Sequence, residues 1–137
     1  MEGTIIRKSG ILLLFILVLS GCVGNASGIH VYNNTSEKAE KAEDIFANDD
    51  RLRSVFVVFN EKDLLTGTTV GTFSRFHKEK IEKELKKKLE AEYPDSKILV
   101  SADNKIVMEI KKLTETTDEK EIGKKIKHIK SHSKEET

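Results

Sequence analysis

At 137 residues, with 24 basic and 23 acidic side chains, the chain has room for one small domain with a tether. A charge balance this even argues against a nucleic-acid binder, which concentrates basic charge on phosphates, and against broad attraction to anionic lipid. A single cysteine excludes an intrachain disulfide and any cysteine-based metal site or redox pair.

The first 21 residues read as an export signal. Arg7 and Lys8 precede an uncharged, mostly apolar run from Ile11 to Ser20, and the small residues Ser20 and Gly21 close it. The run is about ten residues, half of the roughly 20 that a helix needs to cross a ~30 Å hydrocarbon core. Leu19-Ser20-Gly21-Cys22 resembles the lipobox of exported bacterial lipoproteins. The resemblance implies a diacylglycerol on the Cys22 thiol, a cut just before it, and Cys22 as the mature amino terminus. The membrane is then a partner through the lipid, and two or more acyl chains make a stable anchor. No free thiol remains, which rules out a cysteine nucleophile. The alternatives are an ordinary secretory signal with an incidental cysteine and a signal retained as an uncleaved anchor. Arg7, Lys8 and Glu2 leave with the signal, so the remainder carries 22 basic and 22 acidic residues.

Residues 22–35, rich in Gly, Asn and small polar side chains, read as a flexible tether. Ser36 is a plausible N-cap for a helix from Glu37 to Ala47, whose Ala39, Ala42, Ile45 and Phe46 share a face. Ser54 to Asn60 is dense in β-branched and aromatic residues and predicts a strand. A short polar connection leads to a second strand, Leu64 to Phe73, in which Gly67 and Gly71 suggest a bulge or a close backbone approach. Phe76 to Tyr93 predicts the longest helix, with Phe76 opening a stripe of Ile81, Leu85, Leu89 and Tyr93 and with Lys and Glu on its outer face. Pro94 ends it. Lys97 to Ser101 predicts a third strand, and Ser101 or Asp103 caps a helix carrying Ile106, Ile110 and Leu113. Asp118 and Glu121 open a last segment with Ile122, Ile126 and Ile129 in register. Residues 117–137 are expected to form a helical or disordered tail.

The order α-β-β-α-β-α over residues 36–116 predicts an α+β fold, a two-layer sandwich of a small three-stranded sheet with helices on one face. In the first strand Val55, Val57 and Phe59 point one way and Phe56 and Val58 the other, and Leu99 can join the outer set. Helices on one face would leave Phe56, Val58 and Leu99 to be covered by a C-terminal helix or by a partner. These three residues are the candidate interaction surface.

Residues 76–95 and 98–106 carry a family resemblance. A Lys/Glu-rich amphipathic helix, a proline turn and a strand ending in Val-Ser-Ala-Asp resemble the YhcN/YlaJ family of sporulation lipoproteins, the YlaJ-type branch most closely. The resemblance spans roughly Glu40 to Leu113, and the lipobox agrees with it. It implies a lipid-anchored protein of the spore or forespore inner membrane, on the extracytoplasmic face, linked to spore formation or germination. Residues 60–72 are poorer in aromatic and apolar side chains than the family pattern. The resemblance brings no catalytic residues.

Little else points to chemistry. There is no nucleophile elbow, P-loop or dinucleotide-binding turn. His128 and His132 stand at i, i+4 as a metal pair would, but no third ligand is near in sequence except the acids of the tail, and the pair reads as a solvated tail. Asp49 and Asp50 read as a solvated turn, and Ser101 with Asp103 as a helix cap. No catalytic residue, metal or cofactor is expected. The expected function is a non-enzymatic lipoprotein acting through an unidentified protein partner; a ring- or oligomer-forming assembly module is the alternative.

Overall fold

The computed structural model describes residues 28–135, so the export signal, Cys22 and the start of the tether lie outside the described residues. The centre of the domain is the hairpin predicted from its β-branched runs. Strand β2 (Leu52–Asn60) turns at Glu61, the one non-glycine residue with positive φ among those described, into β3 (Asp63–Val70). The pair is antiparallel, with Val57 opposite Thr66 and Phe59 opposite Leu64.

Each hairpin strand gains a parallel neighbour through a helical crossover. Strand β1 (Ile29–Asn33) leads through helix α1 (Glu40–Ala47) to β2, and β3 leads through helix α2 (Lys78–Glu92) to β4 (Lys97–Ser101). The sheet order is β1-β2-β3-β4, with β1 parallel to β2 and β4 parallel to β3. Helices α3 (Asn104–Glu115) and α4 (Glu119–Glu135) follow.

The period-two alternation of the strands feeds two cores. Val55, Val57, Phe59, Leu64 and Val100 meet Ala42 and Phe46 of α1 and Ile81, Leu85 and Leu89 of α2. The opposite phase, Phe56, Val58 and Leu65, meets Ile106, Val107, Ile110 and Leu113 of α3 and Ile122, Ile126 and Ile129 of α4. Among the described residues, both cores are drawn from the stretch Ile29 to Ile129.

The fold is α+β, but the predicted three-stranded, two-layer sandwich in the order α-β-β-α-β-α is corrected. The described order is β-α-β-β-α-β-α-α, with four strands and helices on both faces. The added strand, β1, lies in the stretch assigned to the tether. Ile29 and Val31 pack against the first core and Tyr32 against the second. Five residues among Gly and Asn show no period, and their partner begins more than twenty residues downstream, as a parallel pair requires. The added layer comes from α3 and α4. Asp118 Oδ1 accepts from Lys120 N–H at 3.0 Å at the start of α4, and the isoleucine stripe turns inward.

Gly67 has a packing reason. A Cβ there would stand 3.1 Å from the Val107 Cα and 3.3 Å from an Ile110 methyl, so α3 rides directly on the β3 backbone. Helix α1 begins at Glu40 rather than Glu37, and Ala39 at its N-cap offers no side-chain acceptor. The Tyr93 phenol fills that role: it accepts from Ala42 N–H at 3.1 Å and donates to the Lys38 carbonyl. An orphan donor of the first turn is thus satisfied from the far end of α2.

Candidate functional site

The two sheet faces are closed by the chain's own helices, which leaves the edges of β1 and β4 and the end of the sheet where β3 finishes. Phe56, Val58 and Leu99, the candidate surface, are brought together, but beneath α3 and α4: Phe56 is 8% exposed and Val58 fully buried, and Leu99 packs against the same cluster. His30 stacks on the Phe56 ring at 5.1 Å and Lys111 Nζ lies 5.9 Å from its centre, so the small exposed rim of Phe56 is cationic and aromatic.

Strand β4 is an edge. Lys97 N–H donates to the Lys62 carbonyl at 2.7 Å, which sets the phase of the strand. Residues 97, 99 and 101 therefore direct their backbone groups at β3, while those of Ile98, Val100 and Ala102 face outward. Ala102 N–H is taken by Glu82 Oε1 of α2 at 2.8 Å. Burial pushes the Glu82 carboxyl above its usual range, against the opposing pull of that hydrogen bond. Beside the edge runs an open groove of about 1060 Å³ between the start of α2 and the end of α4. Lys78, Lys83 and Lys86 line one wall and Lys130 and Lys134 the other. Lys130 is held by an ion pair to Asp63. Charged side chains along an edge discourage pairing with another strand.

At the mouth of this groove lies the segment missed in the sequence. Gly71 N–H donates to the Arg51 carbonyl at 3.0 Å and fixes the start of a 3-10 segment, Thr72–His77. Phe76, expected to open the stripe of α2, stands five residues before Ile81, off the four-residue spacing. It is 94% exposed, and Phe73, three residues earlier, is 95% exposed. Arg75 and Lys78 flank the two rings, and a Cβ on Gly71 would stand 3.4 Å from Arg53 Nε. The Gly71-Thr72 step that interrupts the strand pattern is the local signal that could have shown the two rings leaving the sheet.

The acidic turn before β2 is structural. Asp49 takes Arg51 in a bidentate pair (2.8 and 2.7 Å) and accepts its N–H as well, while a third guanidinium nitrogen reaches Glu84 of α2 at 2.8 Å. The Arg51 hydrogen bonds hold both carboxyls below their usual range and raise the guanidinium further. Asp103 caps α3, accepting from Lys105 and Ile106 N–H at 3.1 and 3.2 Å. His128 and His132 lie ring to ring at 4.3 Å on α4, and no group of three metal-ligating side chains occurs among the described residues. No helix among the described residues is long and apolar enough to cross a membrane.

No known protein family, curated protein or solved structure matches the chain.

Proposed function

We propose that the chain is a lipoprotein, anchored through a diacylglycerol on Cys22 to the extracytoplasmic face of the cytoplasmic membrane, and that it acts by binding other proteins rather than by catalysis. The observation that carries this reading is Leu19-Ser20-Gly21-Cys22 placed directly after a basic region and an apolar run too short to span. The domain behind it supports a binding role. The carboxylates of Glu82, Asp103 and Asp49 serve as caps and an ion pair, and the lysine-lined groove lies open along a strand edge. The setting in spore formation or germination rests on the resemblance of residues 76–95 and 98–106 to sporulation lipoproteins.

Metabolic labelling with palmitate, followed by crosslinking and co-isolation from sporulating cells, tests the proposal. The wild type takes up label and brings a membrane partner with it; Cys22→Ala takes up none and loses that partner. Equal recovery of one partner set with both forms would refute anchored binding.

A further inference from the structure

The place where the described chain starts and the exposed phenylalanines lie at the same end of the sheet. Gly28, at φ +123°, passes so close to β2 that a Cβ would come within 2.7 Å of the Arg53 carbonyl, and its own carbonyl accepts from Val55 N–H. Gly71 is bonded to Arg51, in the turn just before β2 and two residues from Arg53, and carries Phe73 and Phe76 just beyond it. Gly28 stands six positions after Cys22. Such a length of chain reaches at most about 20 Å. A lipid on Cys22 therefore keeps this end of the domain beside the bilayer, while the β2–β3 turn lies a nine-residue strand, about 30 Å, away from it.

We infer that the segment Gly71–Lys78 is a second membrane contact, in which Phe73 and Phe76 enter the headgroup boundary of an anionic bilayer and Arg53, Arg75 and Lys78 meet its phosphates. The inference extends the lipid-anchor reading and rests on it for the geometry of the tether. Two neighbouring aromatic rings more than nine-tenths exposed forfeit their burial in water, and a cationic rim beside them is the composition that lies in a membrane interface. No ion pair within 4 Å occupies Arg53, Arg75 or Lys78 among the described residues, in contrast to Arg51, which is held by Asp49 and Glu84. The even charge of the whole chain is compatible with this, because the contact is local. A patch too small to hold a free protein on lipid suffices when a tether supplies a high local concentration.

The chain has no tryptophan and one cysteine, which makes the test direct. Residues 22–137 bearing Phe73→Trp are coupled through the Cys22 thiol to maleimide lipid in phosphatidylglycerol-containing vesicles, so the geometry is set whether or not cells acylate Cys22. The indole emission from position 73 moves to the blue and is quenched by brominated acyl chains. A reporter on the opposite turn, Lys62→Trp, keeps its emission in water and is not quenched. Adding Arg53→Glu and Arg75→Glu to Phe73→Trp removes the shift, and the unfolding midpoint stays unchanged because both side chains are exposed. An unshifted, unquenched indole at position 73, or equal quenching at position 62, would overturn the contact and leave the anchor itself to the labelling experiment.

Discussion

Two polar side chains bridge elements that are distant in the chain. The Tyr93 hydroxyl closes the first turn of α1 from 51 residues away. Tyr93→Phe leaves the Ala42 N–H and the Lys38 carbonyl without it and is expected to cost about 1–2 kcal/mol, read as a lower midpoint in urea unfolding at unchanged slope. Glu82 does the same for the end of β4, at the expense of burying a carboxylate. Its folded pKa lies above the unfolded one, so its favourable contribution is complete below the ordinary glutamate range and is lost as pH rises through the raised value. Glu82→Gln keeps an oxygen for Ala102 N–H and removes the charge. It should be more stable than wild type at neutral pH, with the advantage shrinking on acidification; a pH-independent difference would show that the carboxylate ionises without penalty. Asp49 and Glu84, lowered by Arg51, run the opposite way and lose their contribution as pH falls. The Asp103 cap was legible in the sequence because its donors are two and three residues on, whereas the Tyr93 cap has no local trace.

At the scale of elements, local periodicity showed what locality can show. The hairpin, α2 and β4 were legible from β-branched runs and from Ile81, Leu85 and Leu89 at a spacing of four. Strand β1 was not, since its stability comes from a parallel partner far along the chain rather than from its own five residues. Phe76 was placed wrongly by the same logic that placed Ile81 correctly: an aromatic residue next to a stripe looks like part of it until the helix start is known. Gly67 stands out in the sequence as a weak point of β3, and its reason is the α3 backbone above it. Gly67→Val drives two methyls into Val107 and Ile110 and should cost about 1–3 kcal/mol. Calorimetry would show a lower midpoint; an unchanged one would mean that α3 sits further from the sheet.

For the whole molecule, the proposed lipid on Cys22 would place one end of the architecture beside a membrane. The sheet is sealed on both faces by its own helices, so binding falls to the edges and the ends. The end that carries Gly28 also carries Phe73 and Phe76, and the groove along β4 opens beside it. The candidate site was only partly legible. Cys22 stands out in sequence because export signals are read as linear strings, while the pairing of Gly28 with β2 and Gly71 with Arg51 exists only in the fold. The proposed placement depends on one covalent bond, between Cys22 and a lipid. The most direct test is the intact mass of the protein purified from membranes of its own cell. The account predicts a chain starting at Cys22 and carrying a diacylglycerol. An unmodified thiol at Cys22, or a chain retaining residues 1–21, would contradict it.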